Sequence, residues 1–314
     1  MQKPAGRNRA PNPFKSGDRI AGQYVLEQSV AKGSVGTIWS AKEMGSGRRI
    51  ALKFLNDDCL QDNDIHRMFQ TELETLRAVD HPGVVSALSS ALGLENGMPY
   101  FAMEFAPGAD LFCFADGEPK PMGVRLGVYS AICEAVQAIH DKDVIHRDLK
   151  PNNIFVGECP RWPDPGSIDY RIKILDFGFA IMPGSFDYCS VSGILPGTSH
   201  FLAPELLFSP GSAGKLADIY SLGVCMYVTF CGSFPFRPPY VSGEQLAEMG
   251  RMDVADLYLN YPPVSVDVRA PYLPSSIRRI IRKAMSENLN SRYQSALELS
   301  GDIEEARLQL ERNG

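Results

Sequence analysis

Five side chains of this sequence could serve one reaction. The stretch Val144–Phe155 (VIHRDLKPNNIF) holds Asp148, Lys150 and Asn153, Lys173–Gly178 (KILDFG) holds Asp176, and Ile50–Lys53 (IALK) ends on Lys53. A carboxylate such as Asp148 can accept a hydroxyl proton and orient the attacking oxygen. Asp176 and Asn153 offer oxygen ligands suited to Mg²⁺, a hard cation that takes carboxylate, carbonyl, water and phosphate. Lys150 and Lys53 add fixed positive charge. Any one of these residues could be structural. The set meets both needs of γ-phosphoryl transfer: an in-line nucleophile and neutralised phosphate oxygens.

Two further features belong with them. Val30–Ile38 carries Gly33 and Gly36 between β-type runs, which would let backbone amides approach a triphosphate, although a plain hairpin turn reads as well. Lys53 lies in an otherwise apolar strand, and a buried ammonium needs an opposite charge; Glu72, on a helical stripe, is the obvious partner. The alternative is a strand-edge lysine whose head reaches solvent.

The elements that must position these groups are legible in the hydrophobic pattern. Tyr24–Val30, Thr37–Ala41, Ile50–Leu55 and Tyr100–Glu104 read as strands. Between them, Asp62–Val79 has Ile65, Phe69, Leu73 and Leu76 at helical spacing, with Glu72 and Glu74 interrupting the stripe. Beyond Pro107 the pattern turns helical, at Val124–His140, Lys215–Phe230, Ile277–Met285 and Ala296–Leu310. The spacing predicts a flexible leader over 1–16, a small β-rich lobe over 17–106 and a larger helical lobe over 107–314, with Pro107-Gly108 as the hinge. Gly157–Tyr170 reads as an enlarged hairpin loop, and the proline-rich Ser233–Pro274 as a stretch with one helix near Gly243–Arg251.

Composition narrows the classes. A formal charge of −6 over 314 residues disfavours a general nucleic-acid binder. The seven cysteines form no C-x-x-C pair, which argues for a reducing, cytoplasmic setting and against a zinc or disulfide framework. The longest apolar stretch, Ile219–Cys231, is too short to span a bilayer and reads as a buried helix.

Residue for residue, the H-R-D-L-K-P-x-N of His146–Asn153, the D-F-G of Asp176–Gly178 and the A-P-E of Ala203–Glu205 resemble the protein kinases, over roughly Ile20 to Leu310. The opening Gly17–Leu26 and the run Ala51–Leu55 look similar to bacterial eukaryotic-like kinases. The resemblance implies an α+β, bilobal kinase fold and transfer of phosphate from Mg-ATP, with Mn²⁺ as an alternative ion, to Ser/Thr hydroxyls of protein substrates. It places Lys53, paired with Glu72, at the α/β-phosphates, Lys150 at the γ-phosphate, and Asn153 and Asp176 on the metal. Around the nucleotide it sets Val30, Ala31, Gly33, Gly36, Ile38, Ala51 and Phe155. Met103 is then the gatekeeper, Glu104 and Ala106 the backbone partners of adenine, and Asp110 a contact for ribose or a basic substrate residue. Leu76, His146 and Phe177 form a hydrophobic stack, Asp218 braces the catalytic loop, and Arg292 pairs with Glu205.

Thr198 fits the threonine that contacts the catalytic aspartate and lysine, and with Lys150 it supports Ser/Thr acceptors. Arg147 implies an activation segment ordered by a phosphate, for which Ser190 and Ser192 are the nearest acceptors; a loop that needs no phosphate is the alternative. Ala31 departs from the pattern, standing where the first loop glycine is expected, and a pseudokinase with weakened nucleotide binding is the alternative it raises. Asn152 replaces an acid common in basophilic kinases. A small-molecule phosphotransferase is a third reading, disfavoured by the Gly197–Glu205 peptide platform. The physiological substrate and the oligomeric state stay open.

Overall fold

The computed structural model describes residues 13–118, 120–160, 168–187, 189, 199–208, 214–236 and 260–313. They form two compact units: one made of the described residues up to Arg77 with Val85–Phe105, the other of Ala78–Val84 with the residues from Ala106 onward.

The first unit is a six-stranded antiparallel sheet ordered β1-β2-β3-β4-β6-β5. Its strands are β1 (Arg19–Ile20), β2 (Tyr24–Lys32), β3 (Gly36–Glu43), β4 (Arg49–Leu55), β5 (Gly93–Glu95) and β6 (Met98–Glu104), with helix α1 (Asn63–Ala78) between β4 and β5. Period-two alternation along β4 decides which side chains face which way. Ile50, Leu52 and Phe54 enter a core with Ile20, Leu26, Trp39, Ala41 and Tyr100, so Ala51, Lys53 and Leu55 project from the other face. On α1, Met68, Phe69, Glu72, Leu73 and Leu76 are all buried, so Glu72 belongs to the buried stripe. Phe69 stacks on Phe101 at 5.0 Å, and Phe101 pairs in register with Lys53. Phe14, assigned by its sequence position to the flexible leader, is buried 4.4 Å from the Phe54 ring. The leader reading of 1–16 therefore fails at its C-terminal end, because an aromatic ring beside an apolar sheet face is driven to cover it.

The second unit is mainly helical. It contains β7 (Ala109–Asp110), α2 (Leu111–Asp116), α3 (Met122–His140), β8 (Ile154–Pro160), β9 (Ile168–Ile174), α4 (Pro204–Phe208), α5 (Lys215–Cys231), α6 (Val266–Arg269), α7 (Ser275–Ala284) and α8 (Ala296–Asn313). Of the stretch expected to be loop, residues 157–160 and 168–170 are strand, since β8 and β9 pair from Ile154↔Ile174 out to Pro160↔Ile168, and 161–167 lie outside the described residues. Proline is tolerated where the ladder ends, since its missing N–H then costs little. Gly108 has a φ of 110°, and a Cβ there would lie 2.3 Å from Val156 O, so only glycine fits against β8. The apolar run at Ile219–Cys231 is the core of α5, buried along almost its whole length. Among the described residues no helix is long and apolar enough to cross a membrane. The helix expected near 243–251 lies outside the described residues.

Candidate active site

In the first unit, Lys53 Nζ donates to Glu72 Oε1 at 2.5 Å, with side chains only 9% and 3% exposed. A charge so deeply withdrawn from water persists only when paired, and strand alternation with helical spacing brings this pair together. Register places Ile38 opposite Lys53 and Ala51 opposite Met103, so three neighbouring strands present these residues side by side. Glu104 N–H donates to Ser86 O at 2.9 Å, and Glu104 pairs in register with Ile50. Val30 and Ala31 are exposed in β2. Ala31 pairs with Ile38 next to a register irregularity at Ser29/Ala31 and is absent from the residues at positive φ, so its backbone does not take the left-handed conformation that requires glycine. Gly36 is the demanding glycine of the turn: a Cβ there would meet Phe54 O at 2.9 Å and Lys53 Cε at 3.3 Å.

In the second unit, residues 146–153 are organised by Asp218 from α5. One carboxylate oxygen accepts from His146 N–H (2.9 Å) and lies 2.7 Å from His140 Nε2, and the other accepts from Arg147 N–H (2.9 Å). Burial alone would raise the Asp218 carboxyl, but the hydrogen bond and charge of His140, with contributions from His146, hold it below its ordinary value. The anchor matters because Arg147 has a φ of 62°, a left-handed conformation costly for a side chain of its size. Immediately beyond that bend, Asp148 Oδ2 receives Lys150 Nζ at 2.7 Å and Asn153 Nδ2 at 3.0 Å, and the same amide nitrogen donates to Asp148 O at 2.9 Å. Asn153 therefore commits its NH₂ to Asp148 and turns its amide oxygen elsewhere. Leu175 N–H donates to Asn153 O at 2.8 Å, which seats Asp176, at φ 61°, next to it. His146 accepts Asp148 N–H on Nδ1 (3.3 Å) and donates through Nε2 to Leu175 O (3.1 Å), and its ring lies 4.7 Å from buried Phe177.

Arg147 is already partnered. Its Nη2 and Nη1 reach the two carboxylate oxygens of Asp187 at 2.9 and 3.2 Å, and Nε donates to Phe179 O at 2.8 Å. Pattern reading passed over Asp187, for which a lone acid in a loop gives no signal. Asp110 is also engaged, capping α2 at Cys113 N–H (2.8 Å) and accepting from Asn152 Nδ2 at 3.0 Å. Phe155 pairs with it in register, and Ala106 is half-buried at the start of this part of the chain. Arg292, fully buried, forks onto Glu205 at 2.7 and 3.2 Å. Burial pushes the Cys189 thiol up to about 11, against the pull of Arg147, so it is no reactive thiolate. Ser190, Ser192 and Thr198 lie outside the described residues.

These motifs and this fold have known counterparts. Residues 24–300 match the protein kinase domain, and the chain belongs to that family. It is 30% identical over 292 residues to the serine/threonine-protein kinase PrkC of Bacillus subtilis (strain 168), covering 92% of this chain and 41% of PrkC. It is 29% identical to PknA of Mycobacterium tuberculosis, covering 89% of this chain and 60% of PknA. The chain thus spans under two thirds of these relatives. The crystal structure of the Mycobacterium tuberculosis PknI kinase domain superposes with a TM-score of 0.64 at 22% identity, covering 93% of this chain and 99% of that one, a likeness of fold. The relatives bear out the resemblance to bacterial eukaryotic-like Ser/Thr kinases.

Proposed function

We propose that this chain transfers the γ-phosphate of Mg-ATP to serine or threonine hydroxyls of proteins, with Asp148 accepting the hydroxyl proton. The observation that carries the reading is the Asp148–Lys150–Asn153 cluster: a carboxylate fixed by two donors, one of which also holds it by the backbone. An acceptor so constrained can orient an incoming hydroxyl without reorganising. The Asn153 amide oxygen and the Asp176 carboxylate form an all-oxygen donor pair that fits Mg²⁺, or Mn²⁺ in its place, with phosphate and water completing the shell. Bound there, the ion would neutralise charge on the phosphate oxygens. Lys53, oriented by Glu72, serves the α/β-phosphates. Ile38, Ala51, Met103 and Phe155 supply apolar contact for the base, and Glu104 and Ala106 its backbone hydrogen bonds.

Against a pseudokinase stand the intact Lys53–Glu72 pair and a backbone at Ala31 that does not require glycine. The Arg147–Asp187 pair favours an activation segment that works without a phosphate, since the guanidinium already holds a carboxylate. With both Asp110 oxygens engaged and Asn152 neutral, selection for arginine near the acceptor is not expected. The cysteines whose side chains are described are all free, which supports a reducing, cytoplasmic setting. Incubation with labelled ATP and a general protein substrate, followed by phosphoamino-acid analysis, tests the reading with Asp148→Asn as control. Loss of a general base typically costs about 100- to 10,000-fold in rate. Equal labelling by the control, or labelling only of small metabolites, would overturn the assignment.

A further inference from the structure

Asn56, the first residue after β4, spends its whole side chain on the turn between β2 and β3. Its Nδ2 donates to Gly33 O at 2.9 Å and Ser34 O at 3.2 Å, and its Oδ1 accepts from Thr37 Oγ1 at 2.8 Å. Its backbone N–H donates to Val35 O at 2.8 Å, while the turn closes on itself through Gly33 N–H to Gly36 O at 2.8 Å. Three successive carbonyls, at 33, 34 and 35, therefore face one residue. In a trans peptide the C=O and the following N–H point in opposite directions. Holding these carbonyls on Asn56 thus turns the N–H groups of Ser34, Val35 and Gly36 away from it, and a run of backbone donors aimed to one side attracts anions.

We propose that Asn56 is a positioning residue for nucleotide phosphate, setting the direction of the turn's amides; this rests on the reading that Gly33–Gly36 meets the phosphates of ATP. Thr37 shares the role, because its hydroxyl fixes which end of the Asn56 amide points at Gly33 and Ser34. The test is made in the full chain with Asn56→Ala, Asn56→Asp and Thr37→Val. KM for ATP, KM for the protein substrate, kcat and melting temperature are measured together, with calorimetry of Mg-ATP binding.

Loss of the two amide donors is expected to raise KM for ATP about tenfold in Asn56→Ala, with KM for the protein substrate unchanged. Asn56→Asp should be at least as weak, since it sets a carboxylate against two carbonyls. Thr37→Val should lose about threefold. An unchanged KM for ATP in Asn56→Ala, or in Thr37→Val should the former fail to fold, overturns the role of Asn56. So does a parallel rise in both KM values with a lowered melting temperature, the mark of a merely structural residue. A wild-type chain that binds no Mg-ATP sinks the kinase reading itself and this inference with it, whereas wild-type binding matched by Asn56→Ala sinks only the latter.

Discussion

Replacing Asp187 with asparagine removes a charge that meets Arg147. The guanidinium side chain is 1% exposed and Asp187 is 24% exposed, so the pair is buried on one side and partly wet on the other. Breaking a fully buried ion pair costs about 3–5 kcal/mol, and solvent access to the carboxylate reduces this towards exposed-pair values. About 2–3 kcal/mol is therefore expected for Asp187→Asn, which keeps one acceptor oxygen and removes the charge. If that energy holds the segment after Phe179 on the catalytic loop, the rate of phosphate transfer should fall roughly 30- to 150-fold. The global fold should survive, because the core of the second unit lies in α3, α5, α7 and α8. The assay is the initial rate on a protein substrate for wild type, Asp187→Asn and Asp187→Glu, each treated with phosphatase and checked by mass spectrometry. Undiminished activity of dephosphorylated wild type, with a loss in Asp187→Asn partly recovered in Asp187→Glu, is the expected result. Loss of wild-type activity on dephosphorylation, or full activity of Asp187→Asn, would refute the idea that the carboxylate stands in for a phosphate.

Further outcomes follow from the same geometry. Glu72→Ala removes the carboxylate that holds the buried Lys53 ammonium at 2.5 Å, so ATP turnover should drop by about 100-fold or more in steady-state assays, and Glu72→Gln should drop less. Gly36→Ala drives a Cβ against Phe54 O and Lys53 Cε and should impair ATP binding, as calorimetry would reveal. Asn153→Ala removes both a proposed metal ligand and a tether of Asp148, so the Mg²⁺ concentration for half-maximal rate should rise while kcat falls. Because the folded Asp218 carboxyl lies below its ordinary 3.8, the unfolded chain binds the extra proton. Its stabilisation is full above about pH 4 and is lost as pH falls through the folded value. Urea unfolding should therefore show a shallower acid dependence in Asp218→Asn than in wild type, and identical slopes would contradict the depressed carboxyl.

The groups proposed to carry the chemistry are legible because each is marked locally. Asp148, Asn153 and Asp176 sit in short contiguous motifs, and Lys53 with Glu72 follows from period-two alternation in β4 and the helical repeat of α1. Local pattern also accounts for the two-part division, since strand-like and helix-like periodicities occupy different stretches. Pairings between segments with no shared periodicity became visible only with the folded chain. Asp187 meets Arg147 across 40 residues and Asn56 closes on a turn 22 and 23 residues earlier, whereas the reach of Asp218 to the backbone of His146 and Arg147 across 72 and 71 was expected from the family resemblance alone. An isolated Asp or Asn in a loop has the same composition whether it is solvated or is the acceptor that keeps a strained peptide in place. Only the position of its donors, decided by packing of the surrounding strands and helices, separates the two. The same limit explains why residues 157–160 and 168–170 are paired strand where a loop was expected: ladder hydrogen bonds between β8 and β9 outweigh a local turn preference, and they belong to two strands at once.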